Sequence, residues 1–440
     1  MYLSENISVK GLIFQKNRGM MRAYQNYMQI KKGKRMNDIK ISRRLSMIRS
    51  DIRGPLYQEA LRMEGEGKKV LKLNTGNPAS FGFTAPDSVR NALTEGLESA
   101  TAYCDVKGMR SAREAIRAYH ERRGLKGVCE DDIFLSNGVS EMVQMITLAT
   151  LERGDEILLP CPNYSLWENC AYLAGATPVF YNCAEKDGWI PDLEDIRSKI
   201  TANTRAILVI NPNNPTGAVY PESVLKQIVR LAAEHQLIVF SDEIYDRLIL
   251  DDLPFVSTAT LSEDVLTVTF NGLSKSHIVC GWRSGWCILS GPEKQKSILR
   301  EGLMKLASMR LCAGALPQLA VCAALDDPHS TKELLIPGGR LYEQREATCS
   351  VLSEIDGISF VKNRAAFYLF PKLDKEKFGI TDDTRFALDL LHAKNVLIIP
   401  GSGFAHPDND HFRIVMLPQK EILKKAMQDL GDFLSDYKQN

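Results

Sequence analysis

Residues 265–286 read VLTVTFNGLSKSHIVCGWRSGW, and the interpretation of the whole chain depends on this stretch. The β-forming residues that open it predict a strand, which ends at an Asn-Gly turn. Lys275 follows the turn among apolar neighbours, whose desolvating effect is expected to lower the pKa of its amine and make it nucleophilic. Ser274 and Arg283 add a hydroxyl and a guanidinium, groups that suit a phosphate. The stretch therefore predicts a nucleophilic lysine beside a phosphate site.

Strand-like and helix-like segments alternate along the middle of the chain, between Asp132 and Phe270. Such alternation predicts a mostly parallel sheet with helices on both faces. In sheets of this kind, ligands bind at the carboxyl ends of the strands. Further on, a long helical stretch is predicted from about Glu293 to Ala324, and a short antiparallel sheet is predicted from the segments 358–361 and 366–370. The sequence therefore predicts an α/β fold and indicates where its site lies.

Three polar motifs lie where predicted strands end. The segment SNGVS (136–140) joins a strand to a helix N-terminus, where free N–H groups and the helix dipole favour a phosphate, and it matches neither the GxGxxG nor the Walker A pattern. The segment NPNNPTG (211–217) forces an irregular turn because each proline holds the residue before it extended. The segment DEIY (242–245) places a carboxylate after a buried strand, which is costly unless the carboxylate is paired.

An arginine lies within the apolar strand predicted at 411–415. A buried arginine needs an anion. Because a guanidinium and a carboxylate pair through two parallel hydrogen bonds, an α-carboxylate meets that need. Arg413 is therefore a candidate for carboxylate binding.

Composition and charge argue against several classes of protein. The 440 residues carry a formal net charge of +1, which favours neither a nucleic-acid nor a membrane partner, and no apolar run approaches the length of a membrane span. Ten scattered cysteines without a CxxC pair predict reduced thiols in the cytoplasm rather than disulfides. The seven histidines show no metal-ligand spacing, and His406 and His411 are interpreted as surface or packing residues.

Residues 1–40 differ from the rest of the chain because they are strongly basic, with a net charge of +7 that leaves −6 for the remainder. They lack the apolar core of a secretory signal and are acid-poor, a little like an organellar presequence. Two interpretations stay open. Either the segment is a flexible basic extension, or the true start of the chain is Met36.

The motifs together resemble class I aminotransferases of fold type I, which use pyridoxal 5′-phosphate (PLP). The resemblance rests on the order and spacing of S-K-x7-R with G-W-R-x-G, N-P-T-G, D-E-I-Y and Y-x4-G-x4-R-E-A-I, and it extends from about Ile52 to Leu434. The stretches DIRGP, NPASFGF, LASMRLCA and PGGRLYEQR are especially similar to bacterial alanine (glutamate–pyruvate) aminotransferases.

The resemblance implies a set of residue roles. Lys275, Asp242 and Tyr245 are implied as catalytic residues, with PLP bound covalently to the lysine and its ring nitrogen paired with the aspartate. The implied cofactor-binding residues are Tyr103, Gly138, Val139, Ser140, Tyr164, Asn214, Asp242, Tyr245, Ser274, Lys275 and Arg283. The implied substrate-binding residues are Gly76, Asn214, Arg413 and Arg53. Tyr103 would reach the cofactor phosphate of a partner subunit. The Asn214–Pro215 bond is a candidate cis bond. Arg53 is either a lid over the site or a solvated charge.

The resemblance also implies an architecture. A large PLP-binding domain (90–325) would contain a mostly parallel seven-stranded sheet flanked by helices. A smaller α+β domain would come from both chain ends, as an N-terminal arm (41–89) and a C-terminal part (326–440). Two such chains would form a homodimer with active sites at the interface.

The implied reaction is transamination between an L-amino acid and a 2-oxo acid, above all L-alanine with 2-oxoglutarate. A binding pocket discriminates one methylene group by only a few kcal/mol. The sequence therefore determines the cofactor better than it determines the substrate. An aminotransferase for aromatic or branched amino acids and a C–S β-lyase remain open on the same scaffold. A non-enzymatic dimer module is disfavoured because Lys275 is intact and the leader is too short for a winged-helix domain.

Overall fold

The structure, a computed structural model, describes residues 40–49, 54–327 and 331–439. Two residues singled out from the sequence, the alternative start Met36 and the candidate lid residue Arg53, lie outside the described residues. All other candidate site residues lie within them.

The chain divides into two compact units, residues 1–46 and residues 47–440. In the first unit, the described residues are 40–46, which are exposed and include most of the 3₁₀-helix Arg43–Met47. The second unit contains every helix and strand described below.

The larger unit opens with one helix and a very short strand. Helix α1 (Pro55–Gly65) starts at a proline, whose fixed φ and missing N–H suit a first helical turn. Strand β1 (Leu71–Lys72) pairs in parallel with a strand near the C-terminus. Helices α2 (Asp87–Glu95) and α3 (Arg110–Glu121) follow. The N-terminal and C-terminal parts of the unit therefore meet at β1.

An eight-stranded sheet forms the centre of the larger unit. Its strands are β2 (Ile133–Asn137), β3 (Glu156–Cys161), β4 (Thr177–Ala184), β5 (Ile190–Pro191), β6 (Thr204–Ile210), β7 (Ile238–Asp242), β8 (Thr267–Gly272) and β9 (Ser284–Ser290). They lie in the order β2-β9-β8-β7-β6-β3-β4-β5, and only the pairings of β9 and β5 are antiparallel. The predicted α/β fold with a mostly parallel sheet is confirmed. The eighth strand, β5, has only two residues, too few to carry a sequence pattern.

Both faces of this sheet are buried, which explains why its strands read as continuous apolar runs. In β6, Leu208 and Ile210 pack with α4, α5 and α9, while Ile207 and Val209 pack with α7 on the opposite face. The helices of this region are α4 (Val139–Thr150), α5 (Leu166–Ala174), α6 (Leu193–Lys199), α7 (Glu222–Glu234), α8 (Leu273–Ser276), α9 (Glu293–Met309) and α10 (Ala315–Asp326). Within the described ranges, no helix is both long and apolar enough to cross a bilayer.

The helical stretch predicted from about Glu293 to Ala324 consists of two separate helices, α9 and α10. Between them Leu311 adopts a positive φ of 68°, and Gly314 caps the start of α10. A left-handed residue cannot continue a right-handed helix, so the chain turns here. The apolar pattern runs on through the turn, which is why periodicity did not reveal it.

The C-terminal part contains short strands and four helices. These elements are α11 (Arg340–Leu352), β10 (Ile358–Ser359), β11 (Tyr368–Leu369), β12 (Lys372–Leu373), α12 (Lys375–Phe378), α13 (Asp383–Lys394), β13 (Val396–Leu397), β14 (Ile399–Pro400), β15 (Phe412–Val415) and α14 (Lys420–Leu434). Strands β11, β15 and β14 form a small antiparallel sheet. Leu56 and Met63 of α1 share one core cluster with Phe386 of α13 and Leu423 of α14. The domain boundaries given from the sequence remain a prediction.

Candidate active site

A cavity of about 700 Å³ lies at the carboxyl ends of β3, β6, β7 and β8. This is where an open α/β sheet binds its ligands. The predicted site residues that line it are Gly76, Val139, Ser140, Tyr164, Asn214, Asp242, Tyr245, Ser274, Lys275, Arg283 and Arg413. A separate cavity of about 650 Å³, lined in part by Arg123 and Asp246, contains none of the predicted residues. The topology therefore brings residues from seven separate stretches of the sequence together in one place.

Lys275 lies on the short helix α8, which follows β8 directly. Its Nζ donates a hydrogen bond to the carbonyl oxygen of Gly76 at 2.8 Å and lies 3.8 Å from the Cys280 thiol. Burial lowers the pKa of Lys275, but the nearby groups Tyr368, Cys280 and Tyr164 shift it upward by more, so the net pKa lies above the ordinary value. The prediction that the pKa of Lys275 is lowered is therefore wrong, as far as the protein's own side chains set it. The apolar neighbours in the sequence indicated that the amine is desolvated. They gave no indication that Tyr368 and Tyr164 lie near it.

Asp242 is the last residue of β7 and is almost fully buried. Its Oδ2 accepts a hydrogen bond from the indole Nε1 of Trp167 at 3.0 Å, and its Oδ1 accepts a long one from the amide of Ile244 at 3.4 Å. Burial raises the pKa of this carboxyl group. Two neutral donors do not match a buried carboxylate, so the site favours a further, cationic donor. Trp167 was not predicted, although a buried indole N–H needs an acceptor.

Arg413, in the middle of β15, is a fully buried cation. Its Nη1 donates to Oδ1 of Asn214 at 2.9 Å, and its Nη2 donates to the carbonyl oxygen of Asn74. Its guanidinium lies 4.5 Å from the ring centre of Tyr368 and 4.7 Å from that of Phe404. Its Nε is buried without a hydrogen-bond partner, and no carboxylate of the described residues pairs with it. Burial lowers the pKa of Arg413, as expected for a cation that lacks an anion.

Tyr245 and Tyr368 form a pair of hydroxyl groups in the cavity wall. The two phenolic oxygens are 2.8 Å apart. Burial raises the pKa of Tyr245 well above the ordinary value, so its hydroxyl stays neutral and can donate to an oxygen. Tyr368 was not predicted as a site residue, because its strand belongs to a different sheet and nothing in the sequence indicates where that sheet docks.

The other end of the cavity is suited to an anion. Val139 and Ser140 begin α4, where the first amide groups have no acceptor inside the helix. The Nη1 of Arg283 lies 3.5 Å from the hydroxyl oxygen of Ser274. Gly138, just outside the lining, has a φ of 79°, and a methyl group at this position would overlap the Arg283 guanidinium. Because Gly138 has no side chain, space remains at the point where the Arg283 guanidinium, the Ser274 hydroxyl and the N-terminus of α4 meet.

The remaining observations on predicted residues concern Gly76, Tyr103 and Arg53. Gly76 lies in the loop after β1, where an added methyl group would overlap the side chains of Tyr368 and Phe367. Tyr103 has 79% of its surface exposed and does not line the cavity. Arg53 lies outside the described residues. A residue that was not predicted, Arg49, does line the cavity.

Arg49 is held at the cavity by three contacts. Its Nη1 donates to the carbonyl oxygen of Ser402 at 2.9 Å, and its Nε lies 3.4 Å from a carboxylate oxygen of Glu168. Its backbone amide donates to Oδ1 of Asn169 at 2.9 Å. These partners come from distant parts of the chain, so the sequence carried no signal for this placement.

The fold and this constellation of lysine, aspartate, tyrosine and arginines define an aminotransferase. The chain belongs to the family of class I and II aminotransferases, whose model matches residues 68–430. It is 48% identical over 404 residues to the glutamate-pyruvate aminotransferase AlaA of Escherichia coli K12, a match that covers 92% of this chain and 100% of that protein. It is 46% identical over 399 residues to the alanine aminotransferase of Mycobacterium bovis, covering 90% of this chain and 93% of that one.

Solved structures give the same result. The crystal structure of an aminotransferase from Escherichia coli matches with a TM-score of 0.90 at 48% identity, covering 92% of this chain and 100% of that one. The alanine aminotransferase of Pyrococcus furiosus matches with a TM-score of 0.85 at 37% identity, covering 90% and 100%. The protein is therefore a PLP-dependent aminotransferase, which acts on an amino acid and a 2-oxo acid.

The residues of the cavity fit PLP at each of its polar groups. The carboxylate of Asp242 lacks the cationic donor that a protonated pyridine nitrogen provides. The cleft kept open by Gly138 beside Arg283 suits a phosphate dianion. Lys275 lies in the same cavity and would supply the amine for covalent attachment of the cofactor.

Proposed function

We propose that this protein transfers the amino group of L-alanine to 2-oxoglutarate, giving pyruvate and L-glutamate. The observation that carries the proposal is the 46–48% identity, over nearly the whole length, to relatives named glutamate-pyruvate or alanine aminotransferase. The guanidinium of Arg413, which has no carboxylate partner among the described residues, supports it, since alanine offers little besides its carboxylate and amine for recognition. When bound, PLP supplies an electron sink for the charge that develops at the substrate Cα.

Arg413 binds the substrate α-carboxylate. Among the described parts of the chain its Nε has no hydrogen-bond partner, and its position in a strand between two aromatic rings fixes the plane of the guanidinium. Asn214 holds Nη1 from the opposite side, at the cis Asn214–Pro215 bond, and so keeps the arginine from turning. A fixed arginine gives the substrate one orientation, which exposes one Cα–H bond to the catalytic base.

Lys275 is that base. Its Nζ carries the proton away from the substrate Cα, and the Gly76 carbonyl, at 2.8 Å, is the acceptor that positions the amine in the cavity. Asp242 holds a proton on the pyridine nitrogen, because its buried carboxylate is stabilised by a neighbouring cation. Tyr245 donates a hydrogen bond to the ring oxygen of the cofactor from its place in the wall beside Asn214.

The phosphate of the cofactor is bound by the amides of Val139 and Ser140 together with Ser274 and Arg283, and Tyr164 stacks on its ring. Tyr103 completes this site in a second copy of the chain. Its 79% exposure supports that role, since an exposed tyrosine outside its own cavity is free to enter another. The protein is thus a cytoplasmic homodimer built from a large and a small domain.

Half-reactions test the substrate assignment. Mixing the PLP enzyme with alanine or glutamate in a stopped-flow instrument is expected to convert the cofactor rapidly, and pyruvate or 2-oxoglutarate is expected to reverse the change. Phenylalanine and leucine serve as comparisons. If these larger amino acids react far faster than alanine, the assignment of alanine is wrong while the aminotransferase activity stands. Release of pyruvate and ammonia from cystathionine would instead indicate a C–S β-lyase.

A further inference from the structure

Tyr368 contacts three residues of the active site. It is 2% exposed and lies on β11, in the small sheet that also carries Arg413. The centre of its ring is 4.5 Å from the Arg413 guanidinium, and its hydroxyl oxygen is 2.8 Å from that of Tyr245. A methyl group added at Gly76 would overlap the same hydroxyl oxygen, so the hydroxyl also packs against Gly76. Tyr368 is therefore placed to act on the cofactor through its neighbours.

The contact between the two tyrosines can be made in two directions. Each hydroxyl group carries one proton. The tyrosine that donates in the pair uses its proton there, and the other tyrosine keeps its proton for a further acceptor. Among the described residues, the contact at 2.8 Å is the one hydrogen bond that either hydroxyl makes. Its direction therefore decides which of the two tyrosines can donate into the cavity.

The charges near Tyr368 favour this residue as the donor. The Arg413 guanidinium packs on its ring. The carbonyl oxygen of Gly76 holds Nζ of Lys275 at 2.8 Å, and the Tyr368 hydroxyl packs against the same glycine. Burial lowers the pKa of Lys275, and Tyr368 comes first among the neighbours that raise it. Cations beside a phenol favour the loss of its proton, which makes the phenol a stronger hydrogen-bond donor.

Tyr245 is the better acceptor of the pair. Burial and then the neighbouring Tyr368 raise its pKa well above the ordinary value, with Asp242 acting in the same direction and Arg413 against it. A phenol that holds its proton so firmly is a weak donor by itself. Because hydrogen bonds in a chain polarise one another, a hydroxyl that accepts a hydrogen bond becomes a stronger donor. Donation from Tyr368 would therefore strengthen the bond that Tyr245 makes next.

We propose that Tyr368 is a positioning residue, whose hydroxyl donates to Tyr245 and so directs the Tyr245 proton to the ring oxygen of PLP. The inference rests on the proposed function of the site, in which Tyr245 donates to that oxygen. Donation stabilises negative charge on the ring oxygen and weakens its hold on the proton that it shares with the Lys275 nitrogen. The competing explanation is that Tyr368 only packs on Arg413, a role that needs no hydroxyl group.

The visible absorption of the PLP-loaded protein tests the proposal without any substrate. Its pH dependence reports the pKa of the nitrogen by which Lys275 holds the cofactor. Tyr368→Phe keeps the ring on Arg413, and we expect it to raise this pKa by about 0.5–1 pH unit, because the ring oxygen loses part of its stabilisation. Tyr368→Met also lacks the hydroxyl and should raise the pKa too, so the test does not depend on the folding of one variant. A pKa equal to that of wild type overturns the proposal.

A double variant distinguishes action through Tyr245 from a direct effect of Tyr368. Tyr245→Phe alone should raise the pKa more than Tyr368→Phe does. Adding Tyr368→Phe to Tyr245→Phe should then change it no further, because the connection through Tyr245 is already lost. If Tyr368→Phe has the same effect with and without the Tyr245 hydroxyl, Tyr368 does not act through Tyr245 and the proposal is wrong.

Tyr181→Phe is the matched control. Tyr181 is also buried, and its hydroxyl donates to the carbonyl oxygen of Leu208 at 2.8 Å, outside the cavity. This variant should lose stability and keep the wild-type pKa of the cofactor-bound nitrogen. A rise as large as that in Tyr368→Phe would overturn the proposal, since lost stability alone would explain it. The alanine assignment is tested separately by the half-reactions, so either result can fail without the other.

Discussion

Asp242 combines two properties that seldom occur together, full burial and a negative charge on the functional form. Its protein donors are one indole and one distant amide, at 3.0 and 3.4 Å, so the charge depends on a cation that comes with the cofactor. The carboxylate at the end of β7 is therefore the group through which the central sheet would act on the cofactor.

Replacing Asp242 with Asn tests this dependence, because the amide keeps the shape and the acceptor for Trp167. We expect PLP to bind more weakly and the half-reaction with alanine to slow by at least about a hundredfold, since a preorganised charge is lost. Single-turnover rates and PLP affinity are the measurements. A rate near that of wild type would show that Asp242 does not hold the pyridine nitrogen in its protonated form.

Arg49 and Arg53 provide a second test at the residue scale, because either could in principle meet the second carboxylate of glutamate. The guanidinium of Arg49 already contacts Ser402 and Glu168, so it is committed to the protein. We expect Arg53→Ala to slow the half-reaction with glutamate more than that with alanine, which has no distal charge. Arg49→Ala is the comparison and should affect both substrates alike. Equal effects of Arg53→Ala on the two substrates would remove Arg53 from the site.

The sequence predicted most of the site because its motifs lie at strand ends, where a parallel sheet brings them together. It did not predict Trp167, Tyr368 or Arg49. Trp167 reaches Asp242 from a helix, while Tyr368 and Arg49 reach the cavity from a second sheet and from a loop. The docking of these elements depends on tertiary contacts rather than on local pattern. The pKa of Lys275 was misjudged for the same reason, since the groups that raise it come from Tyr164, Cys280 and Tyr368.

At the scale of elements, long segments were predictable and short ones were not. The strands of the central sheet that have five or more residues carry apolar runs that identify them. The two-residue strands β5 and β12 carry no such pattern and owe their conformation to their neighbours. The break between α9 and α10 was missed because the residues around it remain apolar. A local conformation set by packing leaves no trace in periodicity.

The start of α4 offers a test of an element as a phosphate site. Gly138 has φ 79° and ψ 160°, a region open almost only to glycine, and a methyl group there overlaps Arg283. We expect Gly138→Ala to lower stability by about 1–3 kcal/mol and to weaken PLP binding by about tenfold or more. Thermal unfolding and PLP titration separate the two effects.

Gly188→Ala is the control for Gly138→Ala. Gly188 also has a positive φ, of 74°, but nothing lies within 4 Å of its added methyl group. This variant should lose stability and keep wild-type affinity for PLP. Unchanged PLP affinity in Gly138→Ala would show that the space beside Arg283 does not serve the phosphate.

At the scale of the whole molecule, the basic N-terminal segment differs from the rest of the chain in net charge and lies outside the residues that match the family model. The family model begins at residue 68, and the segment 1–40 carries a net charge of +7. We expect a chain that starts at Met36 to be dimeric and as active as the full chain, because the removed residues contain no site motif. Light scattering and steady-state rates measure this. Loss of the dimer or of turnover would assign a structural role to the segment.

The shared core of α1, α13 and α14 has a consequence for how the protein is made. Leu56 and Met63 emerge from the ribosome long before Phe386 and Leu423, the residues that cover them. At ~5–20 residues per second, the intervening stretch of ~300 residues takes ~15–60 s to synthesise. During that time the central sheet can form, while the apolar side of α1 stays exposed to chaperones and proteases. Helix α1, the first α-helix of the described ranges, is thus among the last to be buried.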